Sequence, residues 1–371
     1  MNKFLVSTKI YSSINSLDVL KRYQGKKIWV VCDSFLAKSP AYTRLESLLA
    51  PQNDVHLFSD ITPDPSIAIV VAGIAQFNTV QPDIVIGFGG GSAIDAAKAI
   101  VYFARQQGHD IETCIAIPTT SGTGSEVTSA TVISDPEKGI KYPIFEDSIY
   151  PDIAILDPSL VVTVPPAITA NTGMDVLTHA LEAYMSKGAS DFTDALAEKA
   201  VQLVFQYLPT ACIKGDCLQT RSKMHNASAM AGMAFSQAGL GLNHAIAHQL
   251  GGQFHIAHGL ANSLLLTHVI KYNANHDPRA FKRYARMAKI CQFSAQGADD
   301  NTALHQLLNH IRQLQKQIAI PTALHALKIS EKQVRDCLPE IIRAAQADST
   351  LKTNPCPIAD QDIARIVEAI L

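Results

Sequence analysis

The sequence lacks the features that mark a secreted or membrane protein. No apolar run reaches the roughly 18 to 20 residues that a helix needs to cross a bilayer, and the N-terminal residues have no apolar core of a signal peptide. The seven cysteines are odd in number, scattered and without a C-x-x-C pair, which favours a reducing compartment over a disulfide framework. We therefore expect a cytoplasmic protein.

Charge is also sparse. Charged residues make up 17% of the 371 residues, and a net charge of −2 gives no electrostatic reason to expect nucleic acid or a membrane as a partner. Hydrophobic residues make up 47%, and the length allows two domains with cores of their own. No internal repeat or low-complexity segment is present.

The two halves of the chain have different patterns. The first half alternates predicted strands at Lys26–Asp33, Val55–Phe58, Asp83–Gly87, Cys114–Pro118 and Ile153–Leu156 with predicted helices at Ile67–Phe77 and Ala93–Arg105. This alternation predicts a parallel sheet covered by helices. From Ile168 onward the patterns are helical and no segment is a convincing strand. We predict an α/β domain over residues 1–164 and an all-helical domain over residues 165–371.

Histidines are concentrated between residues 243 and 259. His244, His248, His255 and His258 all lie there, and the pair Gly251-Gly252 predicts a helix break before the last two. His244 and His248 are four apart and so share one face of a helix. Such clustering favours a metal site over unrelated packing histidines.

A metal needs ligands from a second segment as well. Asp175 and His179 are again four apart, in a run whose apolar residues suit a buried helix. One carboxylate with two or three imidazoles suits Fe(II), Zn(II), Mn(II) or Co(II) rather than calcium or copper. Spacing alone leaves His244, His248 and His258 as equal candidates and leaves the metal open.

A glycine-rich turn is the candidate phosphate site. Gly89-Gly90-Gly91 follows a predicted strand, and we predict Ser92 as the helix N-cap with Asp95 as the carboxylate of a capping box. Free backbone N–H groups and the helix dipole bind phosphate at such a turn. The pattern is neither G-x-G-x-x-G nor a P-loop.

Two further segments fit a dinucleotide. Asp33 ends its predicted strand, where a carboxylate can accept hydrogen bonds from a ribose diol and repel a 2′-phosphate. The loop P-T-T-S-G-T-G-S-E-V-T, residues 118 to 128, places hydroxyl groups and glycines directly after another strand. Open α/β sheets bind ligands at the carboxyl ends of their strands.

Four motifs together carry a family resemblance. G-G-G-S-A-I-D-A-A-K, P-T-T-S-G-T-G-S-E, G-M-D-V-L-T-H-A-L-E and the stretch from H-A-I-A-H to A-H-G resemble the iron-containing (group III) alcohol dehydrogenase family in order and spacing. The resemblance implies an N-terminal Rossmann-like dinucleotide-binding domain and a C-terminal helical metal-binding domain of the dehydroquinate synthase-like kind. It also implies an active site in the cleft between the two domains.

The resemblance implies roles for single residues. The implied metal ligands are Asp175, His179, His244 and His258, with His248 beside the metal as a candidate for relaying the alcohol proton. The implied cofactor residues are Asp33, Asp64, Gly90, Gly91, Ser92, Thr119, Thr120, Thr123 and Lys141. Asp64 departs from the family, whose members often have Asn there.

The implied activity is an NAD(H)-dependent alcohol dehydrogenase that holds Fe(II), or Zn(II), and acts mainly as an aldehyde reductase. Within the family, the similarity is greatest to members that act on propanal and 1-propanol during propanediol degradation in bacterial microcompartments. Another small alcohol, namely ethanol, lactaldehyde/1,2-propanediol or 1,3-propanediol, is the alternative substrate. The resemblance further implies a homodimer with shell or lumen proteins as partners. A non-catalytic microcompartment component is disfavoured because no ligand position is lost.

Overall fold

The structure, a computed structural model, describes residues 3–136 and 140–371. These residues form two compact units. The α/β unit consists of Leu5–Thr163 with Asp216–Gly232, and the helical unit consists of Val164–Gly215 and Met233–Leu371 with residues 3 and 4. Asp216–Gly232, which the sequence analysis assigned to the helical domain, therefore groups with the α/β unit.

A parallel sheet of six strands lies at the centre of the α/β unit, in the order β1-β8-β5-β4-β2-β3. The strands are β1 (Lys9–Ser12), β2 (Lys27–Asp33), β3 (Asp54–Ile61), β4 (Ile84–Gly89), β5 (Thr113–Pro118) and β8 (Ile153–Leu156). This confirms the predicted sheet. Strand β1 was not predicted, because it lies at the sheet edge and its mostly exposed residues carry no apolar pattern.

Both faces of this sheet are buried. In β2, Trp29 and Val31 belong to one apolar cluster, while Ile28, Val30 and Cys32 belong to the other. Successive side chains of a strand point to opposite faces, so a run that is apolar at every position needs cover on both sides. The continuous apolar strands of the sequence thus follow from a sheet with two packed faces.

Three helices and a hairpin complete the first part of the α/β unit. The helices are α1 (Pro40–Leu49), α2 (Ile67–Val80) and α3 (Gly91–Gln106), and the antiparallel strands of the hairpin are β6 (Ala130–Asp135) and β7 (Ile140–Phe145). Helices α2 and α3 confirm the predicted helices. Helix α1 and the hairpin were not predicted.

The helical unit contains no strand among its described residues, as the sequence predicted. Its helices are α4 (Pro166–Met185), α5 (Asp191–Ile213), α7 (Leu242–Phe254), α8 (His258–His276), α9 (Pro278–Ile290), α10 (Asp300–Gln317), α11 (Glu331–Ala347) and α12 (Asp360–Glu368); α6 (Leu218–Ala238) has residues in both units. A core cluster joins α7, α8, α11 and α12. Among the described residues, no helix has the length and apolar character needed to cross a membrane.

Candidate metal centre and dinucleotide site

Helix α4 carries the first two candidate ligands. Asp175 and His179 are both buried on this helix, and the Nε2 atom of His179 lies 3.8 Å from Oδ1 of Asp175. The helix is buried at every residue from Gly173 to Met185, so its polar side chains face protein atoms and not water. Buried polar groups of this kind need partners or a ligand.

Helices α7 and α8 carry the other two candidate ligands. His244 lies in the first turn of α7, and His258 is the first residue of α8. The predicted break at Gly251-Gly252 is wrong, because both glycines lie inside α7, which ends at a left-handed His255 with φ of 54°. A left-handed residue is a common way to end a helix, and here it redirects the chain so that α8 begins with His258.

The four side chains converge. One ligand atom from each of Asp175, His179, His244 and His258 lies within 4.8 Å of the others, and Oδ1 of Asp175 is 3.4 Å from Nε2 of His258. A carboxylate with three imidazoles fits a divalent metal of the Fe(II), Zn(II), Mn(II) or Co(II) kind. Three of the candidate ligands are buried, whereas the His258 side chain is 42% exposed, so the cluster has a side open to small molecules.

The other nitrogen of His244 is held by Glu182. Nδ1 of His244 lies 2.5 Å from Oε2 of Glu182, whose Oε1 accepts the backbone N–H of Asn243 at 2.6 Å. Burial lowers the pKa of His244 well below its ordinary value and raises the pKa of Glu182, whereas hydrogen bonds from three backbone N–H groups favour the Glu182 carboxylate. A carboxylate on Nδ1 leaves Nε2 to face the metal position. The sequence analysis missed Glu182, although it lies three residues after His179.

Asn262 was also missed. Its Nδ2 lies 2.8 Å from Oδ1 of Asp175, 3.1 Å from Nε2 of His244 and 3.2 Å from Nε2 of His258. Nδ2 of Asn243 donates to Oδ1 of Asn262 at 2.9 Å and so orients the amide. The amide has two protons, so it can donate to two of these three atoms at once, and its position among them makes it a neighbour of the candidate ligands.

His248 lies beside the cluster without joining it. Its ring stacks on that of His258 at 5.4 Å, and its Nδ1 is 2.8 Å from Oδ2 of Asp348. Asp348 also accepts the backbone N–H of Thr350 at 2.9 Å, and its pKa is lowered by the hydrogen bonds from His248 and Thr350, which outweigh its burial. The side chain of His248 is 32% exposed, so it can exchange protons with water.

The glycine turn lies at the carboxyl end of β4. Gly90 is the N-cap of α3, and Gly91 and Ser92 are the first two residues of that helix. The predicted capping box is therefore wrong: Ser92 is not the cap, and the Asp95 carboxylate accepts hydrogen bonds from Ser125 Oγ and the backbone N–H of Val132. The free N–H groups of the turn still suit phosphate.

The loop of residues 119 to 124, here called the hydroxyl loop, packs against this turn. A Cβ on Gly90 would lie 3.5 Å from Oγ1 of Thr120, and a Cβ on Gly91 would lie 2.7 Å from Cγ2 of Thr123. Thr119 is tied to β4 by its backbone N–H, which donates to Gly89 O at 2.9 Å. The structure thus brings the two predicted phosphate and cofactor segments together in one place.

Three further predicted cofactor residues lie around the turn. Asp33 ends β2 beside β4, and its Oδ1 accepts the backbone N–H groups of Phe35 and Leu36 at 2.9 and 2.8 Å. The backbone N–H of Asp64, a left-handed residue with φ of 53°, lies 3.3 Å from Ser92 Oγ. Lys141 Nζ is 2.8 Å from Oδ1 of Asp64, and both side chains are exposed.

Comparison with known proteins decides the family. The iron-containing alcohol dehydrogenase model matches residues 8–158, and the model for the C-terminal part of the Fe-containing alcohol dehydrogenase family matches residues 169–371. The chain belongs to the iron-containing alcohol dehydrogenase family. Both the resemblance drawn from the four motifs and the expected fold are confirmed.

Several members of the family are similar over their whole length. The chain is 66% identical over 355 residues to the 1-propanol dehydrogenase PduQ of Citrobacter freundii, covering 96% of each protein. It is 62% identical to the 1-propanol dehydrogenase PduQ of Salmonella typhimurium, covering both chains fully. Among solved structures, a 1,3-propanediol oxidoreductase matches with a TM-score of 0.92 at 34% identity over 100% of both chains. Sulfoacetaldehyde reductase from Bifidobacterium kashiwanohense, solved in complex with NAD⁺, matches with a TM-score of 0.86 at 29% identity, covering 100% of this chain and 98% of that one.

Proposed function

We propose that this protein is an NAD(H)-dependent, metal-containing alcohol dehydrogenase that reduces propanal to 1-propanol. The observation that carries the proposal is the convergence of Asp175, His179, His244 and His258 in a chain 66% identical to a 1-propanol dehydrogenase. In the cell this reaction would return NAD⁺ during 1,2-propanediol degradation.

The four convergent residues would hold the metal. Fe(II) is the first choice because of the family, and Zn(II) is the second because the same donors suit it. When bound, such a cation acts as a Lewis acid toward the alcohol or aldehyde oxygen. Glu182 keeps the His244 ring in position through Nδ1, and the exposed side of His258 admits the small substrate.

The turn and the hydroxyl loop would hold NAD(H). Backbone N–H groups at Gly90, Gly91 and Ser92 suit the pyrophosphate, while Thr119, Thr120 and Thr123 offer hydroxyl groups along the cofactor. Asp33 would accept hydrogen bonds from the ribose diol, so we propose NADH over NADPH. The NAD⁺ complex of a structural neighbour supports the same cofactor.

Lys141 and Asp64 complete the proposed cofactor site. The ammonium of Lys141 is exposed near Ser92 through its ion pair with Asp64, and we propose that it attracts the pyrophosphate. The Asp64 carboxylate makes this part of the site less positive than an asparagine would.

His248 would carry the proton. Nε2 is the ring nitrogen opposite the one held by Asp348, and the side chain reaches water. We propose that His248 passes the alcohol proton between substrate and solvent, with Asp348 fixing the ring.

Two alternatives remain distinct from this proposal. The same site could serve another small alcohol, and the match to a 1,3-propanediol oxidoreductase supports that class of substrate. A non-catalytic microcompartment component would have no physical need for four convergent ligands.

We also propose a homodimer that resides in the cytoplasm, with packaging into a microcompartment through shell or lumen proteins. Strand β1 ends the sheet with mostly exposed residues, so its outer edge could pair with a second copy. The described residues contain no disulfide, which fits the proposed reducing compartment. The names of the two 1-propanol dehydrogenases support the pathway, and light scattering tests the dimer.

The main experiment is anaerobic reconstitution. The protein is purified without oxygen, stripped with a chelator, and assayed for NADH-dependent propanal reduction after adding Fe(II) or Zn(II) separately. We expect activity to return with Fe(II), and propanal to exceed acetaldehyde, lactaldehyde and 3-hydroxypropanal in kcat/KM. Metal-independent activity, or none with any metal, would refute the proposal.

Two histidine variants on helix α8 test the metal site, one at a candidate ligand and one as its control. His258→Ala should abolish metal binding and turnover while NADH binding stays measurable. His276→Ala removes an exposed histidine of the same helix, whose Nδ1 lies 2.8 Å from Tyr272 O one turn earlier, and should leave both metal binding and turnover unchanged.

A further inference from the structure

Lys98 is a fully buried lysine that the proposed reaction does not use. It lies on α3 in the α/β unit and is 1% exposed. Its ammonium Nζ lies 2.9 Å from Ser125 O, 3.2 Å from Ser125 Oγ and 3.0 Å from Thr128 Oγ1, and it also donates to Ala130 O. These oxygens are all uncharged and all lie within six residues of chain.

The segment that surrounds the ammonium continues the hydroxyl loop. Thr119 to Gly124 lead directly into the short 3₁₀ helix Ser125–Val127 and then into β6. Oγ1 of Thr123 accepts the backbone N–H of Ser125 at 3.3 Å. A shift of Ser125 would therefore move Thr123, which contacts the turn at Gly91.

Asp95 reinforces the same connection from one turn earlier on α3. Its carboxylate accepts hydrogen bonds from Ser125 Oγ and from the backbone N–H of Val132. Residues three apart lie on one helix face, so Asp95 and Lys98 together hold one face of α3 against residues 125 to 132. The N-terminal end of this helix is the turn Gly90–Ser92.

The positive charge of the Lys98 ammonium strengthens its hydrogen bonds to residues 125 to 130. Burial lowers the pKa of Lys98 to about 8, while Asp95 and, more weakly, Glu126 favour its charged form. Hydrogen bonds from a charged donor are stronger than neutral ones. Removing the ammonium would leave buried carbonyl and hydroxyl oxygens without their donor.

We propose that Lys98 is a positioning residue of the dinucleotide site, whose ammonium holds the hydroxyl loop at the spacing from the turn Gly90–Ser92 that NAD(H) needs. The proposal rests on the proposed function in so far as the ligand is NAD(H). If Lys98 only stabilised the core, replacing it would lower the free energy of unfolding without changing the affinity of the folded protein for NADH.

The test is a titration of the metal-loaded full-length enzyme with NADH, followed by nucleotide fluorescence, for the wild type and Lys98→Met. Methionine keeps the length of the side chain and removes the charge. We expect the Kd and KM for NADH to rise roughly tenfold, as for the loss of about one charge-assisted hydrogen bond. The kcat at saturating NADH should stay within about twofold, since the metal centre is not altered.

Two threonines provide a matched pair in case Lys98→Met does not fold. Thr128 and Thr8 are both buried in the α/β unit, but only Thr128 contacts the ammonium, whereas Oγ1 of Thr8 donates to Pro151 O at 2.8 Å beside the start of β1. Thr128→Val should raise the NADH Kd by about threefold, as for loss of one hydrogen bond. Thr8→Val should leave it within about twofold at a similar loss of stability.

The outcomes separate this inference from the proposed function. A wild-type protein that does not bind NADH refutes the proposed cofactor, and the positioning role with it. A wild type that binds NADH, with Lys98→Met or Thr128→Val binding it equally well, refutes only the positioning role.

Discussion

At the scale of single residues, the carboxylates that hold the candidate ligands matter as much as the ligands. Glu182 is buried and is not one of the four convergent residues, yet its contact with Nδ1 of His244 fixes which nitrogen of that ring faces the metal position. Carboxylates behind ligating histidines fix the tautomer and raise ligand basicity. Replacing such a residue therefore lowers the metal affinity directly, and turnover falls only as a consequence.

Glu182→Gln should weaken metal binding. An amide at this position cannot both accept from the backbone N–H of Asn243 and accept the Nδ1 proton of His244 with the strength of a carboxylate. We expect the metal affinity to fall about 10- to 100-fold, measured by competition with a chromogenic chelator. Glu198→Gln is the control, because Glu198 pairs with Arg286 in the same unit; an equal loss in both variants would contradict the role of Glu182.

Glu126 should make stability depend on pH. Its side chain is buried, its Oε1 has no hydrogen-bond partner among the residues that the structure describes, and burial raises its pKa to about 7. A carboxyl group whose pKa is higher in the folded protein stabilises the fold below its unfolded pKa near 4.5 and loses that contribution as the pH rises through 7.

The Glu126→Gln variant removes this titration. Relative to the wild type, its free energy of unfolding should therefore increase by up to about 3 kcal/mol between pH 4.5 and 8. Urea titrations at several pH values measure the difference. A difference that does not change with pH would show that Glu126 does not titrate in this range.

At the scale of elements, the site depends on how closely α4 and α8 approach. A Cβ built on Gly259 would lie 2.0 Å from Asn171 O and 3.1 Å from Cβ of Asp175. Only glycine permits this approach, and it places His258, the preceding residue, next to Asp175 on α4. The ligand geometry is therefore set by backbone contact between two helices.

Gly259→Ala should separate these helices. We expect a loss of about 1–3 kcal/mol in the free energy of unfolding, together with weaker metal binding, because His258 moves with α8. Gly252→Ala is the matched control: Gly252 lies in helix α7, and a Cβ there would have nothing within 4 Å. Both variants are measured by thermal unfolding and by chelator competition. Unchanged metal affinity in Gly259→Ala would show that the close approach of α4 and α8 does not set the position of His258.

At the scale of the whole molecule, the two ligands should protect different parts of the chain. Ligands that bind only the folded state stabilise the unit that holds them. Hydrogen exchange should therefore show the metal protecting Val164–Gly215 and Met233–Leu371, and NADH protecting Leu5–Thr163.

The segment Asp216–Gly232 is the sharpest part of this prediction, because it groups with the α/β unit although it lies among helices in the sequence. His225 is buried there, its Nδ1 is 3.1 Å from Ser121 Oγ in the hydroxyl loop, and burial lowers its pKa to about 4. NADH should slow exchange in this segment. Protection by the metal alone would contradict the grouping.

The sequence by itself determined the parallel sheet and the helical second half, and it named the four residues that the structure brings together; that these four bind a metal stays a prediction. Continuous apolar strands and i, i+4 pairs are local patterns that the sequence shows directly. The choice of His244 and His258 over His248 as candidate ligands came from the family motifs. The cofactor residues and His248 stay predictions that the experiments above test.

Only the tertiary structure decided what surrounds these residues. Asn262, Asp348 and Lys98 contact partners between 18 and 100 residues away in the chain, and no local periodicity encodes such contacts. The capping box failed for the same reason, whereas the glycine break failed because a helix tolerates glycine at a cost of only about 1 kcal/mol per residue. Asp95 is buried against Ser125 instead of capping its helix, and α7 continues through Gly251-Gly252 to His255. Local propensity is worth about 1 kcal/mol per residue, so long-range burial and hydrogen bonding override it.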